Sequence, residues 1–361
     1  MTLSILSMLT EQPSAAVETP NSSASNEHQK AIFATSFAGA NASADDWACD
    51  QTPLLIENVR FLEQEGAQSI FINDGVIEWI GAVGAEPENL PSGRTIDGSG
   101  ATALPGLIDS HTHFDALPAA KHRQRAMDAQ TEIFPITLRQ TLASGVTTAR
   151  AHLSALPDMM LMKELSADSC FPSPRIHVSG PGLLGGAPDA NSRLMRGVNG
   201  PEDAAAKVKE LAINGASWAA LHGITRFSEE ELRAIFASAR KANIKLMADT
   251  DSFESLAAAI NTPVVSGEYI NRSPEPDYSE SILQSLETRT ADYYVAPPLG
   301  YYARSRDFAA ADDAALEDEL FLFIPDGLVA EMRETFTANF EEDEYIARAI
   351  EAFPTFRRKF E

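Results

Sequence analysis

Apolar positions first take on a strand-like rhythm at Leu54-Leu55-Ile56-Glu57-Asn58-Val59, then at Ser69-Ile70-Phe71-Ile72 and at Val76-Ile77-Glu78-Trp79-Ile80. Asn73-Asp74-Gly75 separates the last two runs, and an Asp-Gly pair between apolar runs predicts a hairpin because both turn positions tolerate positive φ. The spacing predicts a small β-sandwich module over residues 53–102. Residues 1–52 are rich in Ser, Ala, Asn and Thr without a sustained period, which predicts a disordered or weakly ordered segment.

Beyond residue 103 the period alternates between strand and helix. Strands are predicted at Ala103–Phe114, Val146–Arg150, Arg175–Gly180, Trp218–Leu221, Ile244–Ala248, Pro263–Ser266 and Tyr293–Ala296. Between them, Gly200-Pro201-Glu202-Asp203 opens a helix with Pro at its first position, and Asn214-Gly215 closes it. Ser228 and Glu231 form a capping box before a helix that carries Leu232, Ile235, Phe236 and Ala239 on one face. Pro181–Leu194 is Gly-rich but does not open directly into a helix, so it reads as a long loop rather than a phosphate cradle. Such alternation predicts parallel strands with helical crossovers, an α/β barrel or open sheet over residues 103–361.

Composition narrows the partners. Hydrophobic residues make up 44% of the 361 residues and charged residues 22%, ordinary for a globular chain, and no run approaches the ~20 apolar residues of a membrane span. Acidic residues outnumber basic ones 52 to 28, a formal charge of -24 that repels phosphate backbones and anionic bilayers. The expected partner is therefore a small molecule, with no nucleic acid and no membrane, and a homo-oligomer is compatible with the composition. Two cysteines, Cys49 and Cys170, form neither a metal motif nor a disulfide framework. No Lys or Arg precedes Lys30, so a secretory signal is poorly supported; cytoplasm is the default, with periplasm and secretion left open.

The chemistry concentrates in Pro105-Gly106-Leu107-Ile108-Asp109-Ser110-His111-Thr112-His113. Alternation in a strand points His111 and His113 the same way, and two imidazoles at a strand mouth supply half of a ligand set for zinc or a similar divalent ion. Asp109 shares their parity one step below, where a carboxylate could orient a ligand. His111 and His113 could equally be incidental, and Asp109 a buried Asp satisfied by backbone N–H groups.

This run resembles the first barrel strand of the amidohydrolase superfamily, the imidazolonepropionase-, dihydroorotase- and prolidase-like metal-dependent hydrolases. Gly145-Val146-Thr147-Thr148 is similar to its second strand, and a small β-sandwich precedes the barrel there as here. The resemblance implies a TIM-like (β/α) barrel and a metal site that activates water against a C–N bond. The chain departs from the family at several ligands. The strand-four Lys position falls on Ala220, so one ion is expected rather than two, and His222 either replaces that Lys or is a loop histidine. The strand-five His is Asp249, a carboxylate that can ligate zinc or manganese or can cap a helix. Gly267-Glu268 stands where a strand-six His-Gly would be.

Seven strands are recognisable, and no strand-eight Asp motif follows. Leu320–Gly327 is an apolar run without helical period; in the vacant eighth position it would place Asp326 where the superfamily keeps its proton acceptor, whereas Pro325-Asp326-Gly327 also reads as a turn. Two functions follow from the resemblance: a metal-dependent hydrolase of a small amide, cyclic amide or dipeptide-like substrate, or an inactive or truncated homologue that keeps the fold for binding or assembly. A mononuclear lyase or isomerase on the same scaffold is a third.

Overall fold

The computed structural model describes residues 52–62, 64–114, 130–167, 171–269 and 277–296. Strands β1 (Leu54–Val59), β2 (Gln68–Asn73), β3 (Val76–Ala82) and β4 (Arg94–Asp97) form one sheet in the order β3-β2-β1-β4. The Asp74-Gly75 hairpin forms, with φ of 48° and 73° at its two residues. Among the described residues the module expected as a small β-sandwich contributes one four-stranded sheet. The long β3–β4 connection carries the chain back past β2, so β4 pairs in parallel with the free edge of β1. Residues 1–51, expected to be weakly ordered, lie outside the described residues.

From residue 107 the elements alternate as the period requires. They are β5 (Leu107–Thr112), α1 (Gln130–Ala143), β6 (Val146–Ala151), α2 (Leu156–Ser166), β7 (Arg175–Val178), β8 (Gly182–Leu184), β9 (Met195–Gly197) and α3 (Pro201–Ile213). Then follow β10 (Trp218–His222), α4 (Glu229–Ala242), β11 (Lys245–Asp249), α5 (Phe253–Ile260), β12 (Ser266–Glu268), α6 (Glu280–Thr288) and β13 (Tyr294–Ala296). One sheet runs β5-β6-β7 and another β13-β12-β11-β10-β8-β9, with every pairing parallel. The Ser217 N–H donates to the Val178 carbonyl at 3.0 Å and ties the first sheet to the start of β10.

This is an α/β fold with parallel sheets. The expected ring of strands is not closed among the described residues: β5 pairs only with β6 and β13 only with β12. The segment 320–327, expected as a candidate eighth strand, and Asp326 lie outside the described residues. Two further expectations change. The Gly-rich stretch contains β8, whose Leu183 is buried and whose partner is β10. The sixth strand starts at Ser266, three residues after Pro263, whose ring nitrogen has no N–H to give a ladder. No helix among the described residues is long and apolar enough to cross a membrane.

The core lies between strands and crossover helices. Ala149, Ala151, Val178, Ala219, Leu221, Leu246 and Ala248 from the strands pack with Leu138, Met159, Val208, Leu211, Ile235 and Ala239 from the helices. Gly106 explains the Pro-Gly that opens β5, since a Cβ there would fall 2.0 Å from Thr147 Oγ1 of the neighbouring strand. The two sequence motifs of the first and second strands thus pack against each other.

The capping box of α4 forms as read. Ser228 Oγ accepts from the Glu231 N–H at 3.2 Å, and Glu231 accepts in return from the Ser228 N–H at 2.8 Å. Glu231 also accepts from the Gly200 N–H at 2.9 Å, so the box joins two helix starts. Ser228→Ala is expected to cost about 1 kcal/mol of unfolding free energy in urea titration, and a change below ~0.3 kcal/mol would show the box to be dispensable.

Candidate metal centre

Parallel strands share a direction, so residues at their C-terminal ends converge on one face, where such folds build their sites. His111 lies near the end of β5 with His113 just beyond it, and His152 follows β6 by one residue. His222, Asp249 and Glu268 are the last residues of β10, β11 and β12. His222 is therefore a strand-end residue, not a loop histidine. Four of the chain's seven histidines meet here.

The tightest group is His152, His222 and Asp249, each offering a ligand atom within 4.8 Å of the others. Asp249 Oδ2 accepts from His222 Nδ1 at 2.6 Å, which leaves His222 Nε2 as the free ring nitrogen. His152 is fully buried, and its Nε2 stands 3.5 Å from Asp249 Oδ1. Both His152 ring nitrogens, His222 Nε2 and Asp249 Oδ1 are buried without a hydrogen-bond partner. Buried polar atoms are normally paired, and orphaned atoms on three residues that each bring one ligand atom within 4.8 Å of the others are what a ligand set is expected to leave. These residues fit a divalent cation.

His111 and His113 stand beside this group. Their Nε2 atoms face each other at 3.3 Å, and the His111 and His152 ring centroids are 4.4 Å apart. His111 Nδ1 meets Glu268 Oε2 at 2.6 Å, while the Tyr269 hydroxyl meets His113 Nε2 at 2.9 Å. Tyr269 has φ of 52°, a backbone region unusual for a bulky side chain. Asp109 shares the strand face of the two histidines, but its Oδ1 accepts from the His111 backbone N–H at 3.0 Å. It secures the main chain of that residue.

Charge in the cluster is set by burial. Desolvation, reinforced by the neighbouring His152 and His111 rings, pushes the His113 imidazole down to about 3. Burial likewise pushes His152 down to about 4, against the opposing pull of Asp249. For Asp249, burial alone would raise the carboxyl, yet the His152 and His222 imidazoles hold it well below the usual carboxylate range. At neutral pH the centre thus presents bare imidazole nitrogens and an anionic oxygen, the protonation state that metal binding requires.

His152, Arg150 and Tyr269 were not singled out in the sequence. His152 shares strand parity with Arg150, so a strand extended by two residues would have brought it to the mouth. Tyr269 carries no comparable signal, since its position depends on a single left-handed residue after β12.

The family model described as "Amidohydrolase family" matches residues 102–262, a span that holds His111, His113, His152, His222 and Asp249. Over that segment the chain is similar to the amidohydrolase family. A stretch of 98 residues is 34% identical to an imidazolonepropionase of Ralstonia nicotianae, covering 27% of this chain and 23% of that protein. Another 67-residue match is 36% identical to a 5-methylthioadenosine/S-adenosylhomocysteine deaminase of Pelotomaculum thermopropionicum, covering 17% of this chain and 15% of that one. The matches thus span less than a quarter of either curated relative. A prolidase solved with N-methylphosphonate-L-proline shares the fold at a TM-score of 0.57 and 22% identity, over 82% of this chain and 76% of that one. Glu268 and Tyr269 lie beyond the superfamily segment.

Proposed function

We propose that this chain is a metal-dependent hydrolase of the amidohydrolase type, acting on a C–N bond of a small amide, cyclic amide or dipeptide-like substrate. The observation that carries the reading is the buried group His152, His222 and Asp249, with its unpaired nitrogens and oxygen at the ends of parallel strands. An imidazolonepropionase, a deaminase and a prolidase are among the proteins this chain is similar to, and hydrolysis of a carbon–nitrogen bond is the substrate chemistry we infer from that set. A TIM-like (β/α) barrel is the scaffold we assign to it.

His111, His113, His152 and His222 would hold one ion through ring nitrogens and Asp249 through its carboxylate. Nitrogen-rich donors favour zinc over manganese. Bound there, a divalent ion supplies Lewis acidity, lowering the pKa of water toward neutrality and polarising a carbonyl. Asp249, held far below the usual range, is a poor proton acceptor and suits the ligand role. The acceptor role falls to Asp326, on the resemblance that places an Asp after the eighth strand.

One observation favours the rival reading of an inactive homologue: Ala220 is fully buried at the position of the superfamily's strand-four lysine. Metal analysis of the purified protein, followed by hydrolysis assays on cyclic amides, Xaa-Pro dipeptides and aminopurine nucleosides, separates the two. Stoichiometric zinc with turnover of one class supports the hydrolase. Metal-free protein that takes up no added zinc removes it.

A further inference from the structure

Glu268 stands where a metal-binding histidine would be expected, yet both of its oxygens are already engaged. Oε1 accepts from Arg150 Nη2 at 2.6 Å and from the Ser266 hydroxyl at 2.6 Å, and Oε2 faces His111 Nδ1 at 2.6 Å. The carboxylate is fully buried, and Arg150 is nearly so. Arg150 is itself fixed: its Nε donates to the Ser110 carbonyl at 2.5 Å, its Nη2 reaches Ser266 Oγ at 3.1 Å, and its guanidinium lies 4.4 Å from the Trp218 ring centroid.

We propose that Arg150 and Glu268 act as a positioning pair that locks His111 in the tautomer protonated on Nδ1, so that its Nε2 lone pair faces the metal centre. An ionised carboxylate only accepts, so the proton between Glu268 and His111 resides on His111 Nδ1. The buried Arg150 guanidinium, 2.6 Å from Oε1, and the Ser266 hydroxyl that donates to the same oxygen are the partners of an ionised carboxylate. A neutral imidazole with Nδ1–H has a bare Nε2, and that atom is the one 3.3 Å from His113 Nε2 and turned toward the shared cluster. Glu268 thus replaces a ligand by a residue that orients one.

Arg150 determines which atom of a substituted side chain would face His111. In Glu268→Gln, Arg150 Nη2 and the Ser266 hydroxyl both need an acceptor, so the amide oxygen turns to them and the NH₂ group points at His111 Nδ1. Nδ1 must then accept, the ring proton moves to Nε2, and the lone pair facing the centre is lost. The side chain keeps nearly the same shape.

The inference rests on the proposed metal function, but its first measurement needs no metal. Long-range ¹H–¹⁵N spectra of histidine-labelled, metal-free protein report the tautomer of each ring at neutral pH. Wild type is expected to show His111 protonated on Nδ1, and Glu268→Gln to show it protonated on Nε2. His222, held by Asp249 instead, should keep its signals in both and so certifies an intact cluster. In the second measurement, zinc affinity by competition with a chelator is expected to fall about 10–100-fold in Glu268→Gln, the range for an outer partner of a ligand. His111 protonated on Nε2 in wild type overturns the proposal, even if the variant fails to fold. A folded Glu268→Gln with unchanged tautomer, or with zinc affinity within twofold of wild type, overturns it as well. Wild type without zinc affinity but with the expected tautomers would refute the metal function and leave the positioning pair standing.

Discussion

Asp249→Asn and His152→Ala are each expected to abolish the divalent-metal binding proposed for this centre, with a loss larger than the roughly 10–100-fold that follows removal of an outer partner. Asp249 acts twice. Its Oδ2 accepts from His222 Nδ1 at 2.6 Å and so sets which ring nitrogen of His222 is bare, while Oδ1 has no hydrogen-bond partner of its own. An asparagine there keeps the shape but loses the negative charge, and a misplaced NH₂ would oppose the His222 N–H. His152 is the most enclosed of the three, and alanine in its place removes both orphaned nitrogens together. Filling the resulting space with water does not restore a nitrogen ligand. Zinc content after dialysis and calorimetric titration of the metal-free variants measure the effect. Full zinc occupancy in either variant would move the metal to the His111–His113 side of the cluster.

In the presence of a chelator, the protein is expected to lose stability as the pH falls from about 6.5 to about 4.5. The folded pKa values of His113 and His152 lie at about 3 and about 4, both below the ordinary 6.5. Between the folded and unfolded values the unfolded chain binds protons that the folded chain does not, so stability is fully present above about 6.5 and declines as the pH drops through that window. His177, also lowered by burial, adds to the same trend. The carboxyls with lowered values, Asp249 and Glu231 among them, have unfolded values near 4 and contribute below the window. A tenfold change in proton affinity is worth about 1.4 kcal/mol, so two buried rings lose several kcal/mol by pH 4.5, a large part of the ~5–15 kcal/mol typical of a domain. Urea midpoints at intervals from pH 7.5 to 4.5 test this, and a flat profile would mean that the two rings are solvated. Saturating zinc should deepen the slope, because protons and metal compete for the same nitrogens.

Several elements are legible in the order of residues. Ser228 and Glu231 predict their capping box because the two side chains need only local backbone partners three residues apart. Pro201 and Asn214 bound their helix, and Asp74-Gly75 turns its hairpin, for the same reason. His111 and His113 share a direction by strand parity alone, and the Pro-Gly that precedes them packs on the second strand at Thr147.

Local pattern failed where the deciding partner was distant in sequence. Whether Asp249 caps a helix or faces a histidine depends on β10 lying beside β11, which brings His222 within 2.6 Å of it. Helix α5 in fact takes Ser252 as its cap, so Asp249 is free for the cluster. Glu268 could be read as a ligand until Arg150, 118 residues earlier, was seen to occupy its second oxygen.

The class of structure, the alternation of strands and helices, the excess of acid and one strand bearing two histidines are all carried by the linear order of residues. Those features follow from periods of two and 3.6 residues and from side-chain chemistry, which need no information about distant parts of the chain. Only folding settles which histidines gather, with His152 joining His222 and Asp249, and which carboxylate orients a ring while another remains open. Parallel strands bring together residues separated by a whole crossover helix, and the hydrogen bond that settles each side chain's role forms only across that gap.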